Sequence, residues 1–286
     1  MKPTRTKDAA LTIVALIATL PEREVLLHRA VTSVCAQKLF PSNLVIVVDS
    51  DTSTSSFIPN LPTSEIPIHI IENKISSGAA SSWNKGIRFI QEHWPDCYIA
   101  ILDDDDTWDC NHISLCSAHA YEHDWPDVVL SGLRLIIDGH EQNREPICRV
   151  CVDDFLIGNP GWQGSNTFIR LSALVSSGCF TDNLASCNDR DLAIRVLNLK
   201  NVKVAFTESH TSNWILDTKQ RSLSTKLSES KLDGLGHFYH LHKHLMTDDV
   251  KLKFFLRAYS LFGWCKKDIQ QRAKEWKHAY TSPTDN

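Results

Sequence analysis

The sequence contains no run approaching the roughly 20 apolar residues of a membrane-spanning helix, so it offers no candidate span. No Gly-x-Gly-x-x-Gly follows the first apolar run, and no Gly-Lys-Ser/Thr phosphate loop occurs, so neither nucleotide-binding turn is present. A basic excess is missing too. Lys and Arg total 30 against 34 Asp and Glu, a net charge of -4, which argues against nucleic acid as a partner. The nine cysteines, odd in number and scattered, do not form a disulfide framework. Cys148 and Cys151 make a lone CxxC without a second ligand pair, too little for structural zinc. Lys2, Arg5 and Lys7 precede the apolar run Leu11–Leu20 as in a secretory leader, but Asp8 interrupts the basic region and no A-x-A site follows. A first core strand explains that run better, and the expected setting is a reducing cytoplasm.

What is present is an α/β pattern. The 286 residues, 42% hydrophobic and 22% charged, suffice for one large domain plus an appendage. Apolar runs at Leu11–Ala18, Leu44–Val48, Ile66–Ile71 and Tyr98–Leu102 predict buried strands. Helical periodicity covers Arg23–Gln37, Trp83–Glu92 and Asn111–His123, with a Ser/Thr/Pro-rich loop running to Pro67. Strand and helix therefore alternate over the first 125 residues, the signature of a parallel sheet. Beyond Asp127, Val128–Ser131 and Leu133–Ile137 read as two strands around Gly132, and Ile147–Val152 as another. Gly158 to Gly164 reads as a loop carrying Trp162 and Gln163, and Leu171–Ser177 as a helix. Asn188–Leu199 is helical, Val202–Phe206 an edge strand, and Ser228–Met246, Val250–Trp264 and Asp268–Tyr280 are helices. There is no internal repeat.

The most informative stretch is YIAILDDDDTWD, residues 98–109. An apolar strand ends in Asp103, Asp104, Asp105 and Asp106, at the strand's carboxyl end where open α/β sheets bind ligands. Four adjacent carboxylates repel, and a hard divalent cation relieves that repulsion while bridging substrate phosphates. A solvated acidic turn is the alternative.

IATLPERE, RAVTSVCAQ, LVIVVDSD, ENKISSGAASSWNKGI, YIAILDDDDTW and CFTDNLASCNDRDLAIRV follow one another in a meaningful order. Together they resemble the inverting family 2 glycosyltransferases of the GT-A fold over roughly residues 10–225. The resemblance implies a Rossmann-like, mostly parallel central sheet flanked by helices. It divides the chain into a catalytic domain over 1–217 and a C-terminal helical extension over 218–286. It also implies transfer from a nucleotide-diphosphate sugar, with a UDP-sugar favoured, and a divalent Mn²⁺ or Mg²⁺. Asp105 then ligates the metal, Asp103 holds metal or ribose, and Asp104 contacts ribose. Asp49 accepts from the base, or is simply a turn-forming Asp. Thr19 and Arg23 contact the nucleotide, and Gly78, Asn84 and Gly86 let loop and helix pass close to it. Asp106 caps the next turn or supports the ligands. Asp189, at a helix amino end that favours its ionised form, is the expected general base. Asp191 forms an i,i+4 pair with Arg195 and orients the acceptor at most secondarily. Trp162 and Gln163 are acceptor candidates if the indole is exposed, and core residues if not.

Two departures stand out. Asn188 occupies a position where the family often has Glu, and the usual late His has only His210 and Asp217 as candidates. A sugar nucleotidyltransferase would want a glycine-bearing loop where this chain has TLPERE, and a degenerate binding module would not need the intact carboxylates. Lys251, Lys253, Arg257, Lys266 and Lys267 among Phe254, Phe255, Leu256, Phe262 and Trp264 leave peripheral membrane contact through 247–280 open beside simple packing.

Overall fold

The computed structural model describes residues 11–50, 60–74, 78–217 and 226–281. The leader-like Lys2, Arg5 and Lys7 lie outside these, as do most of the expected loop before Pro67 and the start of the expected extension.

Strands β1 (Ile13–Thr19), β2 (Asn43–Asp49), β3 (Ile68–Asn73) and β4 (Tyr98–Asp103) pair in parallel in the order β3-β2-β1-β4. Between them run helices α1 (Glu24–Cys35) and α2 (Ala79–His93). The strand side chains alternate between two cores, as pleated strands covered on both faces must. Ile13, Ala15, Ile17, Ile46 and Leu102 meet Leu27, Val31 and Val34 of α1 and Ile113 and Cys116 of α3 (His112–Glu122). Val14, Leu16, Val47, Ile99 and Ile101 face the other way, toward Ile87 and Ile90 of α2. On that face α2 lies so close that a Cβ on Gly86 would run into Leu16 and Val47. Gly86 therefore serves helix–sheet packing rather than a ligand.

Beyond β4 the sheet becomes mixed. After the short β5 (Thr107–Trp108) and α3 come β6 (Val128–Ile137), β7 (His140–Gln142), α4 (Val152–Ile157), β8 (Thr167–Arg170) and α5 (Leu171–Ser176). Helix α6 (Asn188–Leu197) and strand β9 (Val204–Leu216) complete this half. The sheet order is β3-β2-β1-β4-β8-β6-β9-β5, with β8 antiparallel to both its neighbours.

Four sequence expectations need correction here. Val128–Ile137 is one strand, not two; Gly132 marks a register irregularity against β9, where a Cβ would crowd Pro146, His210 and the Ser209 carbonyl. Residues 147–151 do not form a strand: Ile147 alone dips into the core and a helix starts at Val152. The strand expected over Val202–Phe206 is longer, since β9 continues to Leu216; its start pairs with β6 alone, and β5 meets it only at Ser212 and Asn213. β8, unforeseen, is four residues long and buried inside the sheet.

The carboxyl-terminal helices α7 (Glu229–His242), α8 (Asp248–Phe262) and α9 (Lys266–Thr281) pack onto the larger core through Leu235, Phe238, Phe254 and Ile269. Ser228 and Thr247 cap α7 and α8 by accepting from the third backbone N–H onward, and Gly263 (φ 81°) ends α8. Among the described residues no helix is long and apolar enough to cross a membrane.

Candidate functional site

Strand β4 delivers its four aspartates into a tight turn closed by Asp106 N–H donating to the Asp103 carbonyl at 3.1 Å. The side chains divide by parity. Asp104 and Asp106 are buried and fully engaged, whereas Asp103 and Asp105 are half-buried. Asp104 accepts from Thr19 Oγ1 at 2.7 Å and from Arg23 Nε and Nη2 at 2.8 and 2.7 Å. Arg23 Nη2 also reaches Asp105 at 2.8 Å, and Arg29 donates to the Asp105 carbonyl. Asp106 accepts from Ser165 Oγ at 2.5 Å and from the Ile215 N–H of β9 at 3.0 Å.

Burial and crowding shift these acids. Desolvation pushes Asp106 up to about 8, with Asp105 adding repulsion. Asp103 is also raised, by desolvation and by the charges of Asp106 and Asp189. Asp104 is raised by burial despite its bonds to Arg23 and Thr19.

Asp189 enters from α6. Cys187, in the left-handed region at φ 72°, turns the chain into this helix. Its carboxylate accepts from the Gly164 N–H; burial nevertheless lifts it to about 6, with the Lys231 ammonium of α7 pulling the other way. Gly164 separates the two acids: a Cβ there would sit 2.8 Å from Asp103 Oδ1. Gln163 and Asn166 close this turn reciprocally, and Asn166 Nδ2 anchors it to the Ser131 carbonyl at 2.6 Å.

Helix α7 braces the first turn of α6. Gly234 lets α7 press against Ser186, where a Cβ would have no room. Phe238 stacks under the Arg190 guanidinium at 4.1 Å, while Arg190 donates to the Phe155 and Leu156 carbonyls at 2.8 and 3.0 Å. His242 Nε2 donates to Asp191 at 2.8 Å. Lys231 is 9% exposed and its ammonium lies 4.5 Å over the Phe262 ring.

Thr19, Arg23, Asp103, Asp104 and Asp105 thus converge, with Asp189 and half-buried Gln163 at Gly164 beside them. Asp49 ends β2 buried, level with Asn73 of β3, and Gly78 (φ 87°) opens α2. Three candidate ligand residues are engaged within the fold itself. Trp162 is 1% exposed, with Nε1 bonded to Thr167 Oγ1 at 2.8 Å and its ring packed on Phe155, so it presents no face to an acceptor. Asp191 forms the expected i,i+4 pair with Arg195 at 2.6 Å, and Thr181 and His242 take up the rest of its carboxylate, which leaves the secondary role of orienting an acceptor without support. Asn84 clamps the Phe180 backbone from both sides, at 2.8 and 2.9 Å, and donates its second N–H to Asp182 at 3.0 Å, so neither N–H is left for a nucleotide. His210 packs against Gly132, and Asp217 follows the end of β9. Arg29, Gly164, Ser165 and Lys231 were missed by sequence reasoning. Gly164 carried the only signal, as a glycine in a polar loop.

The donor set suits a hard divalent cation. Asp103 Oδ1 is buried without a hydrogen-bond partner among the described residues, and half-exposed Asp105 belongs to the same turn.

Comparison with known proteins decides the family. A model of glycosyl transferase family 2 matches residues 15–174, more than half the chain. The chain belongs to glycosyl transferase family 2. Its fold is GT-A, in line with the solved structures it resembles. S. aureus TarS 1–349 in complex with UDP-GlcNAc superposes at a TM-score of 0.64 with 14% identity, over 87% of this chain and 73% of that one. TarS 1–349 in complex with UDP matches at a TM-score of 0.59 with 13% identity, over 96% of this chain and 93% of that one. No curated protein matches the chain by sequence. The family 2 match ends before α6, so Asp189 and its brace lie beyond it.

Proposed function

We propose that this family 2 chain transfers a sugar from a nucleotide-diphosphate donor, UDP-sugars first among them, to an acceptor hydroxyl or amine with inversion. The observation carrying this reading is the approach of Asp189 to the acidic turn across Gly164, which offers no side chain to separate them. Asp103 and Asp105 would hold Mg²⁺ or Mn²⁺. The metal supplies Lewis-acid neutralisation of the leaving diphosphate. The chain's own residues do the rest. Arg23, fixed by Asp104, keeps Asp105 oriented at 2.8 Å. Thr19 and Asp104 brace the donor side from β1. Asp49 is the acceptor for the base, and Gln163, near Asp189, borders the acceptor.

Asp189 takes the acceptor proton as the acceptor atom bonds to the anomeric carbon and the bond to the diphosphate breaks. Inversion follows from this single displacement. A carboxylate lifted to about 6 is ionised at neutral pH yet basic enough to take that proton.

The test is calorimetric titration with UDP in Mn²⁺ and then EDTA, followed by UDP-sugar hydrolysis assays. Binding that requires both the metal and Asp105, and turnover that requires Asp189, are the expected results. Absence of binding to any nucleoside diphosphate by the folded protein would replace this reading with a non-catalytic one.

A further inference from the structure

At the end of α3, far from the acidic turn, His119, Glu122 and the cap residue His123 stand at i, i+3 and i+4. This spacing brings their ligating atoms within 4.8 Å of one another on one helical face. The imidazoles lie nearly parallel, 15° apart, with centroids 5.7 Å from each other. Among the described residues none of the three side chains has a hydrogen-bond or ion-pair partner, and His119 Nδ1 is buried without one. Such groups are available to a ligand. His119 and His123 also line a cleft of about 400 Å³ with residues Val204 to Glu208 of β9.

The cluster is separate from the donor site. Val204 pairs with Val128, and Ile169 joins Val128 to Ile99, so this cleft is level with the beginning of β4. Asp103 closes the other end of that strand, roughly 15 Å away along it.

We propose that His119, Glu122 and His123 form a second metal site, for a borderline transition ion of the Zn²⁺ class. Two imidazoles and carboxylate oxygens, with no thiolate, make a donor set that suits Zn²⁺ and does not suit Mg²⁺. Two ligand atoms on one tetrahedral zinc stand roughly 3.3 Å apart, given bonds of about 2.0–2.1 Å. The side chains reach that spacing by small rotations, since Glu122 and His123 are exposed and unconstrained. The ion fastens the last turn of α3 to its cap residue His123. Its role is structural and requires nothing of the transfer reaction.

The test is calorimetric titration of Zn²⁺ into the full chain in excess Mg²⁺, which competes at the acidic turn. Cys110→Ser, Cys148→Ser and Cys151→Ser remove the exposed thiols from the background. One Zn²⁺ per chain is expected, with affinity lowered about a hundredfold by the double change His119→Gln and His123→Gln. His123→Gln alone, at an exposed position, is expected to weaken binding about tenfold or more and guards against misfolding of the double variant. Thermal melts should show a Zn²⁺-dependent rise that both variants reduce. Unchanged Zn²⁺ affinity in the single and double variants, or no uptake by the parent chain, would overturn the assignment.

Discussion

His242 and Asp191 are joined by a 2.8 Å hydrogen bond that fastens the end of α7 to the helix carrying Asp189. Both side chains are almost fully buried. His242→Ala should therefore destabilise the fold by about 2 kcal/mol, the usual cost of removing a buried bond to a charged group. Arg195 and Thr181 still serve Asp191, which keeps the loss from being larger. His242, Arg195 and Thr181 hold the Asp191 pKa below its ordinary value against the opposing desolvation. This stabilisation is present above the unfolded carboxylate pKa and disappears as pH falls through the folded one. Urea unfolding at pH 7 and in acid measures both effects.

Asp189→Asn should lower turnover by about a hundred- to ten-thousandfold while leaving UDP affinity in place. In the unaltered protein, kcat/KM should decline as pH drops below about 6, where Asp189 takes up its proton.

Lys231→Met should move that acid limb to higher pH. The ammonium favours the ionised carboxylate, so its removal raises the pKa; Lys231→Arg should restore the position. A merely structural lysine would leave the pH profile where it was.

Asp106 has a folded pKa of about 8, far above its ordinary value of 3.8. The folded state thus holds a proton that the unfolded state has released, and stability falls as pH rises between these values. Asp106→Asn should flatten this dependence and raise stability at pH 8 by on the order of 1 kcal/mol. Denaturant titrations at pH 5.5 and 8 provide the comparison, and an unchanged pH slope would rule Asp106 out as its source.

Gly164→Ala should push Asp103 aside, because the added Cβ falls 2.8 Å from Oδ1. The overpacking should cost about 1–3 kcal/mol, and Mn²⁺-dependent UDP binding should weaken with it. Isothermal titration of the variant beside the parent is the direct measurement.

The parallel half of the fold was legible because β1, β2 and β4 are covered on both faces and read as unbroken apolar runs. The acidic turn was legible as a place where an apolar strand ends in four carboxylates, with a solvated turn as the rival until the surrounding motifs were added. β8 escaped notice because four residues carry too little periodicity, and its place depends on partners on both sides. Trp162 was ambiguous because a Gly-rich loop gives no sign of whether it is folded over its own indole. Asn84 was read as a ligand residue because residue type shows what a side chain can bind, not what is already bound to it, whereas the Asp191–Arg195 pair was legible from helical spacing. Lys231 left no trace, as its approach to Asp189 depends on the way α7 lies against α6.

The bond from the Ile215 N–H to Asp106 spans 109 residues of sequence, and the one from Ser165 spans 59. Contacts of such long range come at the entropic cost of closing large loops, and they belong to the slow part of a folding reaction. The acidic turn, although written into the first half of the chain, therefore depends on the second half for its final form. During synthesis it reaches its final shape only once Ile215 has left the ribosome and β9 has taken its place in the sheet.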